Sequence, residues 1–129
     1  MRHARCACGQ FHLEARDEPL INAVCHCDNC KQRTGSAFGI SLYFREADIT
    51  LHGERQEYAL HNHTYDHDQQ RFFCPRCGTT LCWKISTLEG QLGVAGGCFT
   101  EQFPDRPTVS GTDSKRYDWV TLPPDCERR

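Results

Sequence analysis

The sequence predicts a small, mainly β protein with short antiparallel sheets and very little helix. Its apolar residues fall in short runs separated by Gly, Pro, Asn and Asp, a pattern typical of strands joined by turns. Only Asp28–Thr34 has helical features, with Asp28 or Asn29 as the expected N-cap and Gly35 as the closing residue. Ile, Val and Leu together number only seventeen in 129 residues, so apolar burial alone predicts modest stability.

Eight segments within the first hundred residues have the composition of strands. They are Phe11–Ala15, Leu20–Cys25, Ser41–Phe44, Ile49–His52, Gln56–Leu60, Arg71–Cys74, Thr79–Ile85 and Gln91–Cys98. The tail from Pro104 is rich in turn residues, and we expect Trp119 to dock it onto the body. No repeat or linker divides the chain, which predicts one domain over 1–129 with a core of about 4–123.

Seven of the ten cysteines lie in three clusters. These are Cys6 and Cys8, then Cys25, Cys27 and Cys30, then Cys74 and Cys77. In an extended C-x-C the two side chains project to the same side of the strand, and C-P-R-C-G reverses the chain around a metal ion. A disulfide framework suits this pattern less well, since the clustered cysteines lack a secretory signal before them.

The division into two, three and two cysteines predicts two different metal sites. A structural zinc takes four ligands, so the first and last clusters together supply one closed site of Cys6, Cys8, Cys74 and Cys77. The middle cluster of Cys25, Cys27 and Cys30 then has three ligands and a vacant fourth position. Cys82 and Cys98 are expected to be buried apolar residues. If either one instead supplied the fourth ligand, the second site would be closed and purely structural.

Charge and hydropathy narrow the choice of partners. The net charge is −2, and the sequence contains no basic block and no basic–aromatic stretch. A nucleic-acid ligand is therefore not expected. No run approaches the roughly 18 apolar residues of a membrane helix, so no membrane contact is expected. These features predict a soluble, cytoplasmic protein of a reducing compartment.

Three motifs in order, CACGQFHLEA, CHCDNCKQRTGSAFG and RFFCPRCGTTL, resemble the glutathione-dependent formaldehyde-activating enzymes and the related centromere protein V-like proteins. The resemblance runs from Cys6 to about Pro123. It implies a β-tent fold stapled by zinc knuckles, with two zinc ions per chain. One would be structural, on Cys6, Cys8, Cys74 and Cys77, and the other catalytic, on Cys25, Cys27 and Cys30.

The activity implied by this resemblance is that of a carbon–sulfur lyase similar to S-hydroxymethylglutathione synthase. Its substrates would be a small-molecule thiol such as glutathione and a small aldehyde such as formaldehyde. Thr34 and Ser36 are candidate donors to substrate, and Lys31 or Arg33 is a candidate partner for a carboxylate. The alternative is a non-catalytic zinc module for protein–protein contacts, in which both metals only build the fold.

Two groups of polar residues near the cysteine clusters have open interpretations. His26 is a candidate proton carrier, but in an extended C-x-C it is expected to point away from the metal. His61, His63 and His67 form either a solvated hairpin tip, a third metal site or a lid over the middle cluster. Cys126, in the tail, is expected to be an exposed thiol without a role.

Metal removal tests the predicted structural role of the cysteine clusters. A chelator at neutral pH should unfold or aggregate the protein, because metal binding free energy becomes folding free energy when the unfolded chain has no formed site. Circular dichroism melting curves with and without chelator measure this. An apo protein with an unchanged melting curve would contradict the prediction.

Overall fold

Strands and one short α-helix make up most of the regular structure in the computed structural model, which describes residues 1–102 and 104–129. The helix α1 spans Asp28–Thr34. The strands are β1 (Arg2–Arg5), β2 (His12–Ala15), β3 (Ile21–Cys25), β4 (Gly39–Arg45), β5 (Ile49–His52), β6 (Gln56–Asn62), β7 (His67–Phe73), β8 (Thr80–Ile85), β9 (Gln91–Ala95), β10 (Val109–Gly111) and β11 (Glu127–Arg128).

These strands form two sheets. The smaller sheet is antiparallel and has the order β1–β2–β5, whereas the larger has the order β11–β10–β3–β4–β9–β8–β7–β6. Strand β10 pairs in parallel with both β3 and β11, and the other neighbours in the larger sheet are antiparallel. The mainly β prediction is therefore confirmed.

One buried apolar cluster draws on both sheets. Leu13 and Ala15 alternate with half-buried neighbours on β2, while Leu42 and Phe44 come from β4. This period-two burial is expected where only one face of a strand contacts the core. Cys74 belongs to the same cluster, so a predicted metal arm is anchored directly in the apolar core.

The predicted helix has the expected bounds, but its N-cap differs. Cys27 is the N-cap, and its sulfur accepts a hydrogen bond from the Cys30 amide. The prediction of Asp28 or Asn29 was wrong because both lie inside the first turn. Gly35 ends the helix with a φ of 66°, a left-handed conformation that favours glycine, as predicted.

Strand β7 begins at His67, earlier than predicted, because polar residues there pair with both neighbouring strands of the sheet. Strand β9 ends at Ala95, and the next three residues form a 3₁₀ turn. Three strands escaped prediction, namely β1, β10 and β11. They are short segments whose pairing partners lie elsewhere in the chain, so periodicity gives little signal.

Two predictions for the tail were wrong. Trp119 is 70% exposed and stacks on the ring of Tyr117, which lies under the Lys31 ammonium at 3.9 Å. Cys126 is buried rather than exposed, and its burial raises the pKa of its thiol. Backbone pairing of β10 with β3 and β11 therefore attaches the tail more than Trp119 does. Within the described ranges, no helix is long and apolar enough to cross a membrane.

Gly93 on β9 provides a test of how closely the sheet packs beside the middle cysteine cluster. A Cβ at this position would lie 2.3 Å from Nε1 of Trp83, its partner on β8. Gly93→Ala should therefore lower the free energy of unfolding by about 1 to 3 kcal/mol, a usual cost of overpacking. Urea denaturation measures the change. Gly97→Ala is the matched control, since no atom of the described residues, apart from its chain neighbours, lies within 4 Å of the added methyl group. Equal stability of the two variants would contradict the prediction.

Candidate metal centres and the adjoining cavity

Four cysteine sulfurs from two distant loops meet beside the smaller sheet. Cys6 and Cys8 follow β1, and Cys74 and Cys77 follow β7, yet all four Sγ atoms lie within 4.8 Å of one another. The Cys6–Cys8 and Cys8–Cys74 sulfur separations are 3.6 and 3.7 Å. A tetrahedral zinc with bonds of about 2.3 Å requires sulfur separations of about 3.8 Å, so this donor set fits that ion.

Tight turns aim these sulfurs. The Gly78 amide donates to the Cys74 carbonyl at 2.8 Å, and Gly78 takes a φ of 78° that favours glycine. Backbone amides also point at the sulfurs, from Phe11 to Cys6 at 3.3 Å and from Arg76 to Cys74 at 3.4 Å. These N–H donors stabilise thiolates, the protonation state that metal binding requires.

Side chains around the four sulfurs add to this stabilisation. The Gln10 amide donates from Nε2 to the Cys74 sulfur at 3.0 Å. Hydrogen bonds from the Thr79 hydroxyl and amide lower the pKa of Cys77 to about 5. The surroundings therefore favour the thiolate form of Cys74 and Cys77, the two cysteines whose pKa values are lowered.

The middle cluster occupies the junction of β3 and α1. Cys25 ends β3, Cys27 caps the helix and Cys30 lies in the first helical turn, with their sulfurs within 4.8 Å of one another. Hydrogen bonds from Cys25 and Cys30 lower the pKa of Cys27, while the pKa values of Cys25 and Cys30 are raised by this sharing of protons. A divalent cation would replace the shared protons, so this donor set also fits a soft metal ion.

In the part of the chain that the structure describes, no fourth His, Cys, Asp or Glu joins the middle cluster. Cys82 is fully buried in the core, where burial raises the pKa of its thiol to about 12. Cys98 is half-buried and lies beside Cys6 and Cys8, at the other centre. Neither of the two cysteines considered as a fourth ligand therefore completes the middle cluster.

A cavity of about 450 Å³ opens beside the three sulfurs. Its walls combine apolar and aromatic side chains with a few polar ones, and no Asp or Glu lines it among residues 1–102 and 104–129. The lining includes Cys25, Cys27, Cys30, Ile21, Arg33, Tyr43, Asn62, Tyr65, His67, Gln69, Trp83, Val109, Gly111 and Arg129. Volume and lining are those of a small-molecule pocket, with positive charge and no opposing carboxylate.

Arg33 is a cationic residue that lines this cavity together with the three cysteines. Its guanidinium lies 4.2 Å above the Trp83 ring, and its buried Nη2 atom has no hydrogen-bond partner among the described residues. The absence of a side chain at Gly39 makes room for it, because a Cβ there would lie 2.6 Å from Nη2. Burial lowers the pKa of Arg33, and the nearby Cys30 sulfur opposes that shift.

Lys31, the other candidate for a carboxylate, faces away from the cavity. Its Nζ atom donates to the Lys115 carbonyl at 2.9 Å and lies over the Tyr117 ring. Arg71, by contrast, ties the helix to β7 by donating to the Asn29 side-chain oxygen at 2.7 Å and to Gln69 at 3.2 Å. Asn29 in turn donates to Gln69 at 2.9 Å, so these polar groups brace the wall of the cavity.

Other predicted site residues serve local structure. His26 points away from the cluster as expected, and its fully buried ring contacts the Ser110 hydroxyl through Nε2 at 3.1 Å. Asp28 pairs with Lys115 at 2.8 Å on the surface. The Thr34 hydroxyl donates to the Cys30 carbonyl, and its side-chain oxygen accepts from the Ser36 amide. Neither Thr34 nor Ser36 lines the cavity.

The histidine segment forms the tip of the β6–β7 hairpin. His61 is half-exposed, and its ring nitrogens contact Asp68 at 2.9 Å and Asp66 at 3.1 Å. Hydrogen bonds to these carboxylates raise the pKa of His61, and the bond to Asp68 has the larger effect. His61 and His63 are not part of the two groups that could hold a metal ion. His67 is buried and lines the cavity, in agreement with the lid interpretation.

Sequence reasoning missed the aromatic residues of the cavity. Tyr65 lies in the histidine segment, and its hydroxyl is 3.8 Å from the Cys25 sulfur. Tyr43 accepts a hydrogen bond from Trp83 Nε1 at 3.0 Å, and burial raises the pKa of Tyr43 to about 12. The sequence hinted only at Tyr65, through its position between the histidines. Tyr43 and Trp83 look like ordinary strand residues.

The fold and the two cysteine groups define a mainly β protein with two candidate metal centres. The chain belongs to the glutathione-dependent formaldehyde-activating enzyme family, whose model matches residues 1–112. The family resemblance predicted from the three motifs is therefore confirmed.

Two individual proteins are similar to the chain. It is 29% identical over 76 residues to an uncharacterized lyase from Schizosaccharomyces pombe. The aligned region covers 59% of the chain and 52% of the relative. The chain thus spans about half the length of this curated relative. A solved structure of a Rhodobacter sphaeroides protein superimposes with a TM-score of 0.59 at 20% identity, covering 79% of the chain and 91% of the other. That second likeness concerns the fold alone.

Proposed function

We propose that this protein is a zinc-dependent carbon–sulfur lyase that forms and cleaves the adduct of a carboxylate-bearing thiol, such as glutathione, with a small aldehyde, such as formaldehyde. The observation that carries the proposal is a cluster of three cysteines at a cavity lined by Arg33. Within the described residues, the cluster has no fourth protein ligand and the buried Nη2 atom of Arg33 has no hydrogen-bond partner. Family membership and the lyase named among the relatives support the reaction class.

Two zinc ions per chain are part of this proposal. Cys6, Cys8, Cys74 and Cys77 would hold a structural ion, and Cys25, Cys27 and Cys30 would hold the second. When bound, zinc supplies positive charge that lowers the pKa of a coordinated thiol and polarises an oxygen. The sulfur separations and the hydrogen bonds that favour thiolates support this choice of ligands.

Arg33 gives the cavity its selectivity for an anionic thiol. Three thiolates and one divalent cation carry a net charge near −1, and Arg33 lies beside them as a compensating charge. Its Nη2 atom finds no hydrogen-bond partner in the described part of the chain, and a buried unpaired donor is costly until a ligand supplies an acceptor. A substrate carboxylate provides that acceptor, and no Asp or Glu of the described residues lines the cavity to compete with it.

The walls suit the small neutral aldehyde. Ile21, Tyr43 and Trp83 surround the cluster with apolar surface, which limits access of bulk water to the reacting carbon. In the forward direction the thiol sulfur forms a bond to the carbonyl carbon, and the π electron pair moves to oxygen. The proton lost by the thiol ends on that oxygen, and cleavage reverses each change.

An exchange assay tests the proposed reaction. The zinc-loaded protein should accelerate interconversion of glutathione plus formaldehyde with the adduct above the spontaneous rate, as measured by NMR exchange spectroscopy. In the cobalt-substituted protein, one of two metal absorption spectra should change when glutathione is added, because only the three-cysteine site has a free position. No acceleration, with two all-thiolate spectra that glutathione leaves unchanged, would instead favour the non-catalytic zinc module.

Substitution of Arg33 tests thiol recognition. Arg33→Met should raise the KM for glutathione about 10- to 100-fold, the range expected for loss of one charge-assisted hydrogen bond. The uncharged thiol 2-mercaptoethanol should be affected much less, because it lacks the carboxylate.

Lys31→Met is the matched control and should leave both KM values unchanged, since Lys31 contacts Lys115 and Tyr117 outside the cavity. Metal content of each variant by elemental analysis separates loss of recognition from loss of zinc. Equal KM increases for both thiols in Arg33→Met would contradict the assigned role.

A further inference from the structure

Tyr65 crosses from the tip of the β6–β7 hairpin to the middle cysteine cluster. Its hydroxyl lies 3.8 Å from the Cys25 sulfur, and its side chain lines the cavity. The reacting carbon and oxygen of the adduct must lie next to this sulfur cluster if the proposed function holds. Tyr65 therefore brings a hydroxyl to the place where charge changes during the reaction.

Several contacts hold Tyr65 in this position. Its ring stacks on His67 with a centroid separation of 5.8 Å and an interplanar angle of 7°. The Asn62 side-chain oxygen accepts hydrogen bonds from the amides of Thr64 at 3.0 Å and of Tyr65 at 3.4 Å, which closes the hairpin turn. Packing and turn geometry together limit the rotation of the phenol, so its hydroxyl is pre-positioned.

The second contact of the hydroxyl comes from a strained residue. Thr112, which follows β10, has a φ of 49°, an outlier for a β-branched residue, and its Oγ1 lies 2.5 Å from the Tyr65 oxygen. Such strain persists only where the surroundings impose it, and it concentrates at functional sites. The neighbouring Gly111 leaves the space, because a Cβ there would lie 3.0 Å from the Tyr65 hydroxyl and 3.4 Å from Cys25 Sγ.

We infer that Tyr65 is a catalytic residue whose hydroxyl donates a hydrogen bond to the aldehyde-derived oxygen of the adduct. This inference rests on the proposed function. During C–S bond formation the electron pair of the C=O π bond moves to that oxygen, and the proton released by the thiol ends on it. Tyr65 stabilises the charge that builds up there and keeps its own proton, so the step needs no further reactant.

The hydrogen-bond pattern agrees with a donor role. A hydroxyl has one proton and two lone pairs, so Thr112 can donate to the Tyr65 oxygen and leave the Tyr65 proton to point into the cavity. In the free protein the nearby acceptor in that direction is the Cys25 sulfur, which is a weak acceptor. An oxygen that carries negative charge in the transition state is a much stronger one.

Tyr65→Phe tests the inference with the ring and its stacking on His67 retained. The zinc-loaded variant should show a kcat about 10- to 100-fold lower in the exchange assay, with KM for glutathione within about twofold of the original, as expected for an interaction made in the transition state. Tyr58→Phe is the matched control, because Tyr58 lies on the same hairpin, is 57% exposed and does not line the cavity. It should leave both constants unchanged.

Thr112→Val provides a second, independent variant. It keeps a β-branched side chain and removes the hydroxyl that contacts Tyr65, so kcat should fall several-fold without loss of metal. If Tyr65→Phe does not fold, the kcat of Thr112→Val decides the inference, and an unchanged value overturns it.

Three outcomes separate the possibilities. Unchanged kcat in Tyr65→Phe, with an active unsubstituted protein, overturns the role of Tyr65 alone. A cobalt spectrum that differs in ligand-free Tyr65→Phe, together with lower metal affinity, also overturns it, because Tyr65 would then act on the Cys25 sulfur. An unsubstituted protein that does not exceed the spontaneous rate refutes the proposed function and this inference with it.

Discussion

The convergence of cysteine sulfurs from loops far apart in the chain is the constraint on which the rest of the structure depends. Cys8 and Cys74 are separated by 66 residues, yet their sulfurs lie 3.7 Å apart. Bringing such distant segments together costs loop-closure entropy, and the apolar core available to offset that cost is modest. Backbone amides and the Gln10 side chain donate hydrogen bonds to these sulfurs and so favour the thiolate form, which a bound cation stabilises further.

The two cysteine groups differ because of the backbone that carries them. The four-cysteine group lies on two tight turns that face each other, so four sulfurs can surround one point. The three-cysteine group lies where a strand passes directly into a helix, and Cys27 contributes its sulfur to the helix cap as well. Among the residues that the structure describes, no second loop faces it with a cysteine, and the space beside it is a cavity lined by Arg33.

The polar residues around the cavity divide into those that brace its wall and those that can still donate to a ligand. Arg71, Asn29 and Gln69 satisfy one another, so they stabilise the wall and have little left to offer a ligand. Arg33, on the helix, lines the cavity with a guanidinium, and Tyr65, on the hairpin, lines it with a hydroxyl next to the Cys25 sulfur. A site that combines a cation, a neutral donor and thiolates suits a reaction that moves charge between sulfur and oxygen.

The sequence by itself determined the strands with clear alternation, the helix at Asp28–Thr34, the family and the grouping of the seven cysteines. These follow from local spacing, because the geometry of C-x-C and C-P-R-C-G depends on a few adjacent residues. Only the tertiary structure decided that Cys82 and Cys98 lie away from the middle cluster, that Arg33 rather than Lys31 faces the cavity, and that Cys126 is buried. Tyr65 and Thr112 are 47 residues apart, and contacts of that kind depend on how strands pair across the sheet, which local periodicity does not encode.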